Sequence, residues 1–145
     1  KKIHYGVFKM VELKLVINDP KTGKSYAKVA DIDIAGNKIG DKIQGDQLGL
    51  KNYELQITGG SDTAGFPMRS DIEVTGRKKA MLAHGPGIRS KQLKKKKGIR
   101  IRKTVRGNTI SNLIAQVNMK IVKHGSEDIE KSLGIEKKEE AKKEN

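Results

Sequence analysis

The fold class is indicated by the stretch VELKLVIN at Val11–Asn18. Its apolar side chains recur at every second position, and polar or charged side chains occupy most of the positions between them. A period of two puts the apolar side chains on one face of an extended chain, so it predicts a half-buried β-strand. Such a strand needs partner strands, and the neighbouring sequence supplies the first of them.

A hairpin is predicted directly after this strand. The turn-forming residues NDPKTG at 18–23 interrupt the alternation, and Ser25–Ala30 is predicted to return beside the first strand. The same alternation recurs at Tyr53–Ile57, at Ile72–Val74 and at Val117–Ile121. Several short strands separated by turn signals are typical of a small antiparallel barrel or sandwich.

Helical signals are confined to two places. A short helical turn is expected within Ala35–Ile43, where Gly36 and Gly40 oppose anything longer. Near the end of the chain, Ser126 is a suitable N-cap followed by two acidic residues, and Gly134 is placed to end a helix.

The sequence therefore predicts a mainly β protein: a small antiparallel β-barrel-like domain with a basic extension and a short C-terminal helix. Met10 is a candidate for the natural first residue. The predicted organisation is an N-terminal extension at 1–10, a β-barrel-like body at 11–87, a basic RNA-binding segment at 88–108, returning strands of the body at 109–125, and a short helix with a charged tail at 126–145.

Composition limits what kind of protein this can be. The chain has 145 residues, of which 34% are apolar and 33% charged, and it contains no Trp, so a core must be built from Ile, Val and Leu. The absence of Cys excludes disulfides, thiolate nucleophiles and Cys-ligated zinc, and it suits a reducing compartment. No apolar run approaches the ~20 residues that cross a bilayer, and the N-terminus lacks the apolar segment of a secretory signal. A cytoplasmic location is expected.

The positive charge is concentrated in one part of the chain. Residues 69–106 contain 14 Lys and Arg but only two acids, so they carry +12 of the +14 net charge. No acid occurs from residue 74 through 126. A merely solvated charge run would mix signs, whereas a single-sign segment favours a polyanionic partner, because each cation placed on a phosphate releases condensed counterions.

The basic segment itself predicts how a nucleic acid would be bound. Four adjacent lysines, Lys94–Lys97, indicate a loop, and beyond them Arg100, Arg102 and Arg106 are expected to face outward from a strand whose apolar residues face inward. Because the segment contains no aromatic residue, contacts to phosphate, ribose and shape are expected, with little base readout. The predicted RNA-binding residues are Arg77, Lys78, Lys79, Arg89, Lys91, Lys94, Lys95, Lys96, Lys97, Arg100, Arg102, Lys103 and Arg106.

Other functional motifs fail on spacing. GGSDTAGFPMR at 59–69 lacks the Lys and Ser/Thr of a Walker phosphate loop, so it is interpreted as a tight connection after a strand at 53–58, with Phe66 inserted into the core. DIDIAG at 31–36 begins like a calcium loop but has Lys42 where a bidentate Glu is required. The three histidines form no metal or nucleophile motif, so no catalytic residue, metal or cofactor is predicted.

Three elements together resemble a known family: GGSDTAGFPM at 59–68, RKTVRG at 102–107 and IVKHGSEDI at 121–129. They are similar to the archaeal and eukaryotic small-subunit ribosomal protein family S6e, which is distinct from the bacterial ribosomal protein of the same number. The similarity extends from about Val11 to Leu133. It implies an N-terminal β-barrel-like domain, ribosomal RNA and neighbouring ribosomal proteins as partners, and a structural role in the small ribosomal subunit.

The resemblance transfers RNA contact only to the Lys and Arg of 77–106. Eukaryotic members of the family carry a serine-rich phosphorylated tail, but this chain has no serine after Ser132, so regulation by tail phosphorylation is not expected. The shorter form resembles the archaeal type. Two other classes remain as alternatives: a free RNA-binding translation factor or RNA chaperone, and an enzyme with a basic groove, which the lack of acids near the basic segment disfavours.

Overall fold

The computed structural model describes residues 13–30, 32, 34–88, 98–125 and 129–133. Seven strands are the main elements of the described chain. They are β1 (Leu13–Asn18), β2 (Ser25–Ala30), β3 (Lys42–Gln44), β4 (Glu54–Asp62), β5 (Arg77–Leu82), β6 (Ile101–Arg106) and β7 (Ile114–Lys123). The helical elements are a 3₁₀ helix at Gly45–Leu48 and a single turn of α-helix, α1, at Ile129–Leu133.

Five strands form one sheet in the order β2-β1-β7-β4-β3, and β5 pairs with β6 in a separate two-stranded sheet. All pairs are antiparallel except β1 with β7, which run parallel. The prediction of a mainly β fold is confirmed, but the prediction of a barrel is wrong. A barrel needs hydrogen bonds between its first and last strands, and here β2 and β3 remain the two edges of an open sheet.

The hydrophobic core covers one face of the five-stranded sheet. Leu15, Ile17, Leu55, Ile57 and Val117 are each no more than 1% exposed, which confirms the alternation predicted for these segments. Full burial of one such side chain stabilises the fold by about 1.5–3 kcal/mol. Leu48, Leu50, Ile110 and Ile129 join the same cluster from outside the sheet.

Two of the predicted local structures are absent. Ile72–Val74 forms no regular strand, although the Asn108 N–H donates to the Ile72 carbonyl. Within Ala35–Ile43 there are turns and an isolated bridge from Lys38 to Thr109, and no helix. The predicted N-cap Ser126 and the predicted helix end Gly134 lie outside the described residues.

The glycine-rich element at 59–69 begins inside a strand, and only its residues after Asp62 form the predicted connection. Gly59 and Gly60 lie within β4, next to an irregularity in its pairing with β7. A Cβ on Gly60 would lie 2.4 Å from the Gln116 carbonyl oxygen, so the close approach of β7 requires glycine there. Phe66 is only half-buried and lies outside the core, whereas Met68 is 3% exposed and belongs to it. The expected insertion of Phe66 is therefore wrong.

Candidate nucleic-acid interface

The antiparallel pair β5–β6 carries most of the predicted RNA-binding residues whose positions are described. Its register pairs Met81 with Arg102, Ala80 with Lys103 and Lys79 with Thr104. Since residues directly opposite each other share a face, Lys79 and Arg102 lie on one face and Lys78 and Lys103 on the other. The hairpin therefore presents cations on both of its faces.

The cationic side chains of the hairpin are open to solvent. The ones we call the hairpin cations are exposed and, in the described part of the chain, make no hydrogen bond or ion pair: Lys78, Lys79, Arg102 and Lys103. Arg100, just before β6, is exposed as well. Met81 is 59% exposed between Lys79 and Arg102, so the surface mixes charge with an apolar side chain. Four unneutralised cations this close together repel one another and favour an anionic ligand.

A small apolar cluster anchors the hairpin to the rest of the fold. Leu82 and Val105 are 4% and 0% exposed, and they pack beneath the turn at residues 85–87. A Cβ on Gly87 would lie 3.0 Å from Val105 and 3.6 Å from Pro67, so the turn approaches this cluster closely. The hairpin is thus held at this cluster while its Lys and Arg side chains remain in water.

Arg106 does not face outward, and that prediction is wrong. Its side chain lies in the body at 3% exposure, donates from Nη2 to the Ser111 hydroxyl at 2.5 Å, and approaches Asp62 with Nη1 at 3.9 Å. The backbone of the last residue of β6 is hydrogen-bonded outside the hairpin, because the Arg106 N–H donates to the Pro67 carbonyl at 2.9 Å. Alternation within the strand therefore does not decide the exposure of this residue.

The buried carboxylate of Asp62 organises the base of the hairpin. It accepts hydrogen bonds from Arg77 Nε at 2.6 Å and from the backbone N–H groups of Ala64 and Phe66 at 3.0 and 2.9 Å. Burial alone would raise the pKa of Asp62, but the bond from Arg77 and the two backbone bonds outweigh it and hold the pKa below its ordinary value. Arg77 also lies over the Phe66 ring, 4.9 Å from its centroid, so this predicted RNA-binding residue is partly engaged within the fold.

Acid should therefore weaken the fold through Asp62. Because its pKa is lower in the folded chain than in the unfolded one, its stabilising contribution is complete above the ordinary carboxyl pKa of about 3.9 and disappears as the pH falls through the folded value. Asp19 shifts in the same direction: burial opposes ionisation, and bonds from Lys21 and Thr22 overcome it. We expect urea unfolding to show a falling free energy of unfolding below about pH 4. A stability that stays constant from pH 6 to pH 3 would contradict this.

Arg69 fixes the start of the long connection between β5 and β6. At 8% exposure, it donates from Nε and Nη2 to both oxygens of Asp71, and from Nη1 to the carbonyls of His84 and Pro86 at 2.9 and 3.0 Å. The sequence analysis did not single out Arg69, Asp62 or Ser111 as positioning residues. The one available signal was the place of Arg69 and Asp62 within the glycine-rich element.

Six of the predicted RNA-binding residues lie outside the described part of the chain, and RNA contact by them stays a prediction. They are Arg89, Lys91, Lys94, Lys95, Lys96 and Lys97. Their segment connects Ile88 to Gly98, so it joins the two strands that carry the hairpin cations.

The sequence from β1 through α1 matches a known protein family. Residues 13–134 match ribosomal protein S6e. The chain belongs to the S6e family. Membership identifies it as a ribosomal protein, and therefore as a structural protein and not an enzyme.

Several archaeal members of the family are similar over most of their length. Small ribosomal subunit protein eS6 of Methanocaldococcus jannaschii is 45% identical over 128 residues, which cover 88% of this chain and 95% of the relative. The eS6 protein of Archaeoglobus fulgidus is 46% identical over 125 residues, 83% of this chain and 94% of the relative. The eS6 protein of Thermoplasma acidophilum is 44% identical over 119 residues, which cover 79% of this chain and 92% of the relative.

Two of the three elements of the S6e resemblance meet in space in this chain. The 59–69 element and the 102–107 element are joined by the bond from Arg106 to Pro67 and by one from the Arg69 N–H to the Arg106 carbonyl at 3.1 Å. Gly107 completes the junction, since a Cβ there would overlap the Val74 carbonyl. In this S6e chain both elements therefore build the base from which the hairpin projects.

In 13–30, 32, 34–88, 98–125 and 129–133, no group of three or more His, Asp or Glu side chains is placed to hold a metal ion. His124 instead lies 3.4 Å from Asp19, with its ring edge toward Tyr53. The same part of the chain contains no helix with the length and apolar character of a membrane span.

Proposed function

We propose that this chain is a structural constituent of the small ribosomal subunit in the cytoplasm, and that it binds ribosomal RNA through phosphate-contacting Lys and Arg. Its relatives carry the name small ribosomal subunit protein eS6, which supports the assignment to that subunit. Its partners would be ribosomal RNA and the ribosomal proteins beside it. The basic segment at 88–108 and the strand β5 together would form the RNA-binding surface.

The exposure of the hairpin cations carries this proposal. Arg69 and Arg77 have carboxylate partners within the fold, Asp71 and Asp62. Lys78, Lys79, Arg102 and Lys103 have none in the described residues. Each of them can therefore exchange water and counterions for a phosphate without first breaking an internal ion pair.

The salt dependence of binding to small-subunit ribosomal RNA tests the proposal. The logarithm of the association constant should fall linearly with the logarithm of salt concentration, by about 0.7–0.9 for each phosphate neutralised. Four contacts give a slope near −3, measured by filter binding or fluorescence anisotropy with the full chain. A slope near zero, or no binding at low ionic strength, would overturn RNA binding by these side chains.

The alternative of a free translation factor or RNA chaperone is separated by a second measurement. A structural constituent stays with the small subunit through sedimentation in high salt, because many contacts must break at once. A factor that exchanges on and off the ribosome is removed by the wash. Recovery of the chain only in the supernatant would favour the factor.

A further inference from the structure

A cavity of about 620 Å³ opens at the base of the hairpin. Gly76, which precedes β5, and Arg106, which ends β6, both line it. The rest of the wall comes from Thr75 and from residues 35–36 and 109–113. The hairpin is six residues long, or about 20 Å at the usual rise of a strand. An RNA held by the hairpin cations could therefore reach the cavity within a few nucleotides.

The cation in the wall of this cavity is incompletely compensated. Asp62 is the one carboxylate near Arg106 among the contacts described, and it already accepts the shorter bond from Arg77, 2.6 Å against 3.9 Å. Two guanidinium groups therefore share one carboxylate. In addition, the buried Nε of Arg106 has no hydrogen-bond partner among the described residues. Buried polar groups of this kind are normally satisfied, and an unsatisfied one marks a place where an acceptor is missing.

The remaining wall is mostly apolar, with a few hydroxyl groups. Leu113 is 56% exposed at the rim, and Ile110 is buried behind it. A free phosphate would gain nothing from these apolar surfaces. A nucleobase has apolar faces and acceptor groups on its edges. The volume of the cavity lies within the usual range of small-molecule sites, about 300–1,000 Å³, so it can hold one nucleotide. An apolar wall can contact a base where aromatic residues are lacking.

We propose that this cavity receives one unpaired nucleotide of the bound RNA. The base lies against Leu113, and its edge accepts hydrogen bonds from the Arg106 guanidinium and from the Ser111 hydroxyl, whose oxygen accepts from Arg106 and whose proton is free to be donated. The inference rests on the proposed function, because the hairpin cations hold the RNA from which the nucleotide is extruded. It adds a base contact to a surface that otherwise contacts the RNA backbone.

Two RNA duplexes test the inference: one fully paired, and the same duplex with a single bulged nucleotide. The wild-type chain should bind the bulged duplex about tenfold more tightly, the order of magnitude expected from one net hydrogen bond with some buried apolar surface. Each of the four nucleotides is tried in the bulge. Equal binding of the paired duplex and all four bulged duplexes would overturn the cavity assignment and leave phosphate binding by the hairpin intact.

Filling the cavity should abolish the preference for the bulged duplex and leave binding to the paired duplex unchanged. Thr75 and Asn112 are exposed at its rim, and their side chains make no hydrogen bond among those described, so the double variant Thr75→Trp/Asn112→Trp blocks the entrance without touching Arg106. It should bind both duplexes with the affinity that the wild type has for the paired one. The control Gln47→Trp, at an exposed site remote in sequence, should keep the tenfold preference.

Removing hairpin cations separates the two proposals. Lys79→Ala/Arg102→Ala should weaken binding to both duplexes by the same factor and preserve the preference for the bulge. A filled cavity that retains the tenfold preference would overturn the inference. If the wild type binds neither duplex at low salt, the proposed function fails, and the inference fails with it.

Discussion

Replacing Asp62 with asparagine should lower the free energy of unfolding by about 3 kcal/mol, the cost of removing one partner from a buried ion pair. The side chain of Asp62 is fully buried, and Arg77 and Arg106 both approach it. An asparagine leaves Arg106 at 3% exposure with no carboxylate beside it and turns an amide toward groups that can only donate. Urea unfolding at pH 7, followed by circular dichroism, measures the change.

A matched control is available a few residues away. Glu73→Gln removes the same charge from an exposed side chain, and it should change the free energy of unfolding by less than about 0.5 kcal/mol. The difference between wild type and Asp62→Asn should also shrink as the pH falls below about 4, because the Asp62 carboxyl of the unfolded wild-type chain then takes up a proton that the folded chain binds only at still lower pH. A loss under about 1 kcal/mol at pH 7 would mean that Asp62 does not organise the base of the hairpin.

The parts of the fold that depend on local pattern were predictable from sequence. Ser25–Ala30 was predicted as a strand with the bounds that β2 has, and the apolar positions of β1, β4 and β7 lie in the core as expected. A period of two is visible in adjacent residues, because a sheet with one buried face requires apolar side chains at alternate positions. Adjacent residues could not predict whether the sheet stays open or closes into a barrel, because this depends on which strands pair across long stretches of chain.

The failures at the site share a physical cause. The glycines at 59–60 looked like the start of a connection, because the close approach that requires glycine at Gly60 comes from Gln116 on another strand. Arg106 looked exposed because its burial depends on Asp62 and Ser111, which no local pattern connects to it. The basic character of the hairpin was visible in the sequence, whereas the separation of its cations into exposed and buried ones required the tertiary contacts. RNA binding by these residues stays a prediction.

Removing all four hairpin cations should weaken binding to small-subunit ribosomal RNA by roughly a thousandfold at low salt, if each contact contributes about 1 kcal/mol. The slope of the logarithm of the association constant against that of salt concentration should become shallower by about 3, since four phosphates lose their partners. The fold should be retained, because these side chains are exposed and unpaired in the described residues. The variant combines Lys78→Ala, Lys79→Ala, Arg102→Ala and Lys103→Ala. Arg106 is left intact, because its removal would also disturb the base of the hairpin.

Loss of net charge alone could weaken binding, so the control variant must lose the same number of positive charges as the variant that lacks the hairpin cations. A control variant removes four other exposed lysines that make no side-chain hydrogen bond or ion pair among those described: Lys14, Lys21, Lys51 and Lys120. Long-range attraction is screened beyond about 10 Å at 0.1 M salt, so these distant charges should matter little there, whereas direct phosphate contacts persist. We expect the control to bind within about threefold of wild type and to keep its salt slope. Equal losses in the two variants would show that the RNA responds to total charge, and the hairpin would then have no special place in binding.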